Sequence, residues 1–262
     1  MGNELRVGVL GFGAIGSVVA RHIADGKVAG ASFQGIAVRH LHEELHYPQF
    51  GIDEAVKCCD LIIECAGQEA LREHAVKILG AGVDLLASSL GALADRGFAE
   101  QVRQAGPGRL LLTSGAIGGL DLLGAGAAMG GFQQVTLTTR KLPATLIQPW
   151  MSEAQCSQLA AVVEPVVVFS GSAAQAAQKF PKSLNIAAAV ALTVGDWDVV
   201  SVRLIADPNA TLTEHRIDAR GVGGEYSFSI KNYPSQQNPR SSGIVPWALL
   251  YSLQQAIGNN RS

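Results

Sequence analysis

Leu5-Arg6-Val7-Gly8-Val9-Leu10-Gly11-Phe12-Gly13-Ala14-Ile15-Gly16 stands near the start of the chain, and its reading decides the fold. The first six residues make a short, mostly apolar strand. From Ser17 to Ala24 the apolar residues recur at helical spacing. Three glycines join the two, and each has a mechanical task there. Gly11 makes the tight turn, Gly13 lets backbone come close to a ligand, and Gly16 lets helix and strand pack tightly.

Free N–H groups and the dipole at a helix N-terminus favour a pyrophosphate. A bare G-x-G-x-x-G turn needs no ligand. Its place directly after a strand and at the head of a helix is what points to a nicotinamide dinucleotide, NAD or NADP. Gly11, Gly13, Ala14, Ile15 and Gly16 form the expected cradle, with Ala66 at the end of a later strand.

Working outward, the first half alternates strands and helices. Strands are expected at 33–38, 61–66, 83–88 and 109–113, and a helix at 69–79, stopped by Gly80. Short apolar runs each followed by a helix call for a parallel sheet covered on both faces. The second half reads differently. Strands at 134–141, 164–169, 199–206, 214–218 and 226–231, with an Ala-rich helix over 181–193, suggest a mixed or antiparallel sheet. The fold class is therefore α/β: a Rossmann domain over 1–114, then a smaller α+β domain over 115–242. A final helix within 243–262 is expected to pack back on the first domain.

The second strand ends Val38-Arg39-His40, where an NAD-binding protein usually carries an acid for the ribose hydroxyls. A guanidinium at Arg39 can pair with the 2′-phosphate of NADP, or stack on adenine without discriminating. His42-Glu43-Glu44-Leu45-His46 spells H-E-x-x-H, the two-histidine zinc motif. Pro48 stops a helix almost at once and no third ligand follows at the required spacing, so a solvated loop is the simpler reading and no metal is expected.

Composition removes other classes. Among 262 residues, 16% are charged and mean hydropathy is +0.22, yet the longest apolar stretch, Ile186 to Val194, is far too short to span a bilayer. The N-terminal residues lack a secretory pattern, so a cytoplasmic location is expected. A net charge of −2 and a pI near 6.3 give no field for nucleic acid. Cys58, Cys59, Cys65 and Cys156 show no C-x-x-C spacing and read as reduced thiols.

Several segments together carry a more specific signal: Gly171 to Ala188 with Phe180-Pro181-Lys182-Ser183-Leu184-Asn185 at its centre, Ala206-Asp207-Pro208, His215-x-Ile217, Asn232-Tyr233-Pro234-Ser235, and Asn238-Pro239-Arg240-Ser241-Ser242. With Ser114-Gly115-Ala116-Ile117-Gly118, they resemble the aspartate dehydrogenase family over nearly the whole chain. The resemblance implies NAD(P)-dependent oxidation of L-aspartate to iminoaspartate, which hydrolyses to oxaloacetate and ammonia or feeds NAD biosynthesis, by a homodimer. By position it implies His215 as the catalytic residue, Ala116 and Asn185 as cofactor contacts near the nicotinamide, and Asn185, Ser241 and Ser242 as substrate contacts. Thr213 stands where the family pattern has Asn.

Histidine, with an ordinary pKa near 6.5, suits the proton transfers that amine oxidation and imine hydration need. Of six histidines, His215 alone falls in the second domain, although a strand histidine can equally be structural. Lys141, Lys182 and Arg240, with the two serines, are the candidate partners for substrate carboxylates. Two other readings remain: a related reductase of the dihydrodipicolinate or homoserine dehydrogenase type, and a nonenzymatic dinucleotide sensor.

Overall fold

The computed structural model describes residues 4–41, 43–181 and 184–259. The chain forms two compact units, one running from the N-terminus to Gly115 and completed by the last helix, the other Ala116–Ile244.

The first unit contains β1 (Leu5–Leu10), α1 (Gly16–Ala24), β2 (Ala31–Ala37), β3 (Gln49–Phe50), α2 (Ile52–Cys58), β4 (Leu61–Glu64), α3 (Gln68–Gly80), β5 (Asp84–Ala87), α4 (Arg96–Gln104) and β6 (Leu110–Leu112). All neighbouring strands run parallel, in the order β3-β2-β1-β4-β5-β6. The order reverses between β1 and β4, and ligands of such sheets sit beyond the carboxyl ends of the strands at that point. Val7 to Leu10 of β1 and all of β4 are buried because helices cover both faces; Val7, Val9, Leu61 and Ile63 share one core with Val19 and Ile23 of α1.

The second unit contains α5 (Leu120–Met129), β7 (Phe132–Lys141), α6 (Glu153–Ala160), β8 (Val166–Ser172), α7 (Ala173–Lys179), α8 (Asn185–Val194), β9 (Val200–Ala206), β10 (Thr213–Gly221) and β11 (Gly224–Asn232). Its sheet runs β11-β10-β7-β9-β8. It is mixed: β7 and β9 are parallel, and the other pairs are antiparallel. Alternation decides which face is covered. Val135, Leu137, Thr139 and Lys141 of β7 are buried, as are Thr213, His215, Ile217 and Ala219 of β10. Arg203 and Arg216 point to the exposed face. Helices α7 and α8 pack on the covered face, and α5 packs on α8. The chain then returns to the first unit as α9 (Val245–Asn259), whose Leu249, Leu250 and Leu253 join the core of β1 and α1.

One expectation fails in detail. The helix expected over 181–193 is α8, which begins four residues later, at Asn185, and a separate helix, α7, lies before it. Ser172 and Gln175 cap each other to start α7, each side chain accepting from the other's backbone N–H. Proline disfavours helical geometry in the residue before it, and Phe180, at φ −127°, ψ 59°, ends α7 before Pro181. Asn185 consequently heads α8 instead of lying inside a longer helix.

Candidate active site

In the first unit the glycine turn has the stereochemistry its sequence demands. Gly11 has φ +90°, and a Cβ there would stand 2.7 Å from the Ala66 Cβ. A side chain on Gly16 would strike the Gly11 carbonyl oxygen, whereas Gly13 faces open space. Ala14 and Ile15 complete the turn, and α1 begins with no acidic residue in its first turn and no capping side chain. Its Ser17 and Val18 N–H groups donate to the Gly13 and Ile15 carbonyls at 2.9 and 3.2 Å, so the glycine turn itself stands at the positive end of the helix dipole. An uncapped helix N-terminus behind an open glycine therefore fits the pyrophosphate of a dinucleotide.

Beside the turn lies a cleft of about 450 Å³, lined among others by Gly11, Ala37, Arg39, Ala66, Glu69 and Glu73. Arg39 does not stand free in it. Its guanidinium donates to Glu73 at 3.1 Å and to Glu69 at 3.4 Å, both on α3. The acid that the second strand lacks is thus supplied to this cleft from another element, a placement the ribose-acid rule does not anticipate.

The sequence reading also passes over Glu64. This carboxylate is fully buried at the end of β4 and accepts five hydrogen bonds, from the N–H groups of Ala66, Gly67, Ser88 and Ser89 and from the Ser89 hydroxyl, at 2.8–3.2 Å. It ties the residues after β4 to those after β5. Burial pushes its pKa up and the donors oppose that shift. Four of the five partners are backbone N–H groups, which can only donate, so the geometry favours the ionised form. Its signal was visible: one acid closing the apolar run Leu61-Ile62-Ile63.

In the second unit His215 lies opposite Thr139, on the covered face of the sheet. Its Nδ1 is 3.0 Å from the Thr139 Oγ1, and only 2% of the residue is exposed. Burial, and then the charge of Lys141, lower its pKa to about 3. The sequence argument takes the ring at its ordinary value in a cleft; in the structure it is a buried, neutral imidazole at working pH.

Lys141 shares this face and donates to the Arg240 carbonyl at 2.8 Å. That bond fastens the segment after β11 to the end of β7. Within the segment, the Ser241 N–H donates to the Asn238 carbonyl, Ser242 is buried, and Pro234 and Ser242 form a β-bridge. Ala116 is buried, and its carbonyl accepts from the Asn232 side chain at 2.8 Å. His215, Lys141 and the Arg240–Ser242 segment are therefore brought into one fabric, whereas Asn185 stands on a separate element. Lys182 and His42 lie outside the described residues, and among those described no group of three His, Cys, Asp or Glu could hold a metal ion. Nor is any described helix long and apolar enough to cross a membrane.

Comparison with known proteins bears on both units. Residues 121–256 match the family model "Aspartate dehydrogenase, C-terminal". Residues 11–107 match "Homoserine dehydrogenase, NAD binding domain". The L-aspartate dehydrogenase of Ruegeria pomeroyi is 40% identical over 265 residues, covering 97% of this chain and 93% of that protein. The chain belongs to the L-aspartate dehydrogenase family. The Archaeoglobus fulgidus member of that family is 37% identical, with 91% of this chain and 92% of that protein covered. A crystal structure of aspartate dehydrogenase from Thermotoga maritima superposes with a TM-score of 0.74 at 25% identity, covering 99% and 98% of the two chains. A hyperthermophilic archaeal homoserine dehydrogenase in complex with NADPH shares the fold at 11% identity, with a TM-score of 0.58 over 98% of each chain. Family membership and the NAD-binding domain make the protein an NAD(P)-dependent dehydrogenase and set the nonenzymatic sensor aside.

Proposed function

We propose that the chain oxidises L-aspartate with NAD or NADP to iminoaspartate, which hydrolyses to oxaloacetate and ammonia, and that the product feeds pyridine-nucleotide biosynthesis in the cytoplasm. A homodimer is the assembly we infer from the same family. The observation that carries the reading is the buried His215–Thr139–Lys141 cluster, which lies in the stretch matching the aspartate dehydrogenase C-terminal model. The homoserine dehydrogenase match is confined to residues 11–107, so it speaks for the dinucleotide and not for the substrate.

The dinucleotide, when bound, supplies the hydride acceptor. The chain's residues hold it and manage protons. Gly11, Gly13, Ala14, Ile15 and Gly16 form the turn that takes the pyrophosphate, with Ala66 and Arg39 flanking the cleft. We assign Ala116 and Asn185 to the nicotinamide end, and Asn185, Ser241 and Ser242 to the substrate. Hydride leaves Cα only as the nitrogen lone pair forms the C=N bond, so the amine must be neutral and then lose a further proton. His215 is neutral near pH 7, consistent with its lowered pKa. With Nδ1–H donating to the Thr139 hydroxyl, Nε2 keeps a lone pair for a proton from the amine, and later for one from the water that adds to the imine. Electrons balance: two pass with the hydride from Cα, and the nitrogen lone pair closes the imine.

His215→Ala should lower kcat by about 10²–10⁴-fold, the worth of a positioned acid or base, while dinucleotide affinity stays near that of the parent. Because the ring is buried, turnover is compared on protein shown to be folded by its melting transition. A folded variant keeping more than about a tenth of the turnover would remove His215 from the proton transfer.

A further inference from the structure

We propose that Lys141 is the carboxylate anchor of the substrate site: its buried ammonium, on the same sheet face as His215, forms an ion pair with a carboxylate of the bound substrate. The inference rests on the amino-acid oxidation reading and adds to it the group that selects an acidic substrate.

Three observations lead there. Lys141 is 3% exposed, which is rare for a lysine that has no carboxylate partner. An ammonium has three donors, and among the described residues one acceptor, the Arg240 carbonyl, meets them. The carboxylates nearest in the sheet are committed to the neighbouring arginine. Asp207 accepts from Arg140 at 2.9 Å, and Glu214 lies 3.8 Å from it. Arg140 points to the opposite face from Lys141, as adjacent strand residues must. An uncompensated buried charge is strongly unfavourable, so a chain that buries one beside a proposed proton acceptor is built to receive an anion.

Position selects which anion. Lys141 is two residues along β7 from Thr139, which faces His215 across the strand pair. Two strand residues span about 7 Å, a distance that converging side chains can close on a four-carbon dicarboxylate whose amine faces the histidine. Burial lowers the lysine to about pH 8, leaving it charged at neutral pH. Its charge in turn contributes to the low pKa of His215. A carboxylate on Lys141 would cancel that contribution, so substrate binding would make His215 more basic as the amine arrives.

The test uses succinate, a dicarboxylate without the reacting amine, titrated by calorimetry into protein saturated with NAD. The expected result is measurable binding to the parent and a loss of roughly 10–150-fold in Lys141→Met, the worth of a hydrogen bond to a charged group. NAD affinity should stay unchanged. Removing an uncompensated buried charge should leave the melting temperature equal or higher. A second measurement needs no variant: succinate binding to the parent should fall as pH rises past about 8. His215, lowered to about 3, shares the face; Arg140, Asp207 and Glu214 lie on the reverse side and Arg240 in the adjoining segment. Undiminished succinate binding in the variant, no binding by the parent, or a loss shared with NAD would each overturn the anchor. Lys141-dependent succinate binding without oxidation of aspartate would uphold the anchor and refute the substrate instead.

Discussion

Glu64→Gln changes one oxygen to an amide nitrogen and leaves the volume of the side chain almost untouched. In the parent every contact of that carboxylate is an incoming donor. A glutamine must turn its NH₂ toward one of two donor groups. The less costly choice faces Ser88 and Ser89, because the Oε1 side holds Ala66, Gly67 and the Ser89 hydroxyl. Two N–H groups then lose their acceptor in a fully or partly buried place. At roughly 1–3 kcal/mol for each unsatisfied donor, the cost is about 2–6 kcal/mol. For a unit of this size that is a fall in melting temperature of roughly 5–20 °C. Those bonds also hold Ala66 against the Gly11 turn and fix the residue after β5, both at the carboxyl ends of strands where a dinucleotide binds. NAD affinity should therefore fall together with stability. Calorimetric melting and NADH titration on one preparation provide the assay. A variant melting within a degree or two of the parent, with normal NADH affinity, would show that the carboxylate does not hold these loops together.

Other consequences follow from single contacts. Gly13→Val should crowd the pyrophosphate and weaken NADH binding in calorimetry without a large change in melting, since that position faces open space. Arg39→Asp should weaken NADP more than NAD by roughly 1.5–3 kcal/mol, one charge-assisted hydrogen bond. Glu73→Gln, which weakens the shorter of the two ion pairs holding Arg39, should shift preference toward NADP; equal changes for both dinucleotides would mean that Arg39 does not meet the 2′-phosphate. Acid stability follows from His215. Its folded pKa of about 3 lies below the ordinary 6.5, so the unfolded chain binds a proton that the folded chain refuses. That contribution is fully present above about pH 6.5 and is lost as pH falls toward 3, up to about 5 kcal/mol in the limit. Urea midpoints measured against pH should show this limb in the parent and a shallower one in His215→Gln; superimposable limbs would count against the buried neutral ring.

Much of the first unit was legible because its rules are local. A glycine at Gly11 is required by its φ and by the approach of Ala66, and both follow from a turn that must come close to a ligand. The parallel strands follow from apolar runs alternating with helices. What could not be read were contacts made across sequence distance. Arg39 stands 30 and 34 residues from the glutamates that hold it, and nothing near Val38-Arg39-His40 announces them. The spacing of the alanines puts Asn185 inside a helix over 181–193; in the structure α8 begins at Asn185 itself, after a separate helix that Ser172 and Gln175 cap. The burial of His215 has the same origin. A histidine in the alternating run His215-x-Ile217 shows which face it takes, but the depth of that face depends on α7 and α8 covering the sheet.

The most direct test of the central claim is a steady-state assay of the purified protein with L-aspartate and NAD, repeated with NADP, following reduced nicotinamide and released ammonia together. The account predicts aspartate-dependent reduction with one ammonia formed for each dinucleotide reduced, and little turnover with L-alanine, which lacks the second carboxylate. Protein that binds NAD or NADP but reduces neither above the aspartate-free blank would contradict it.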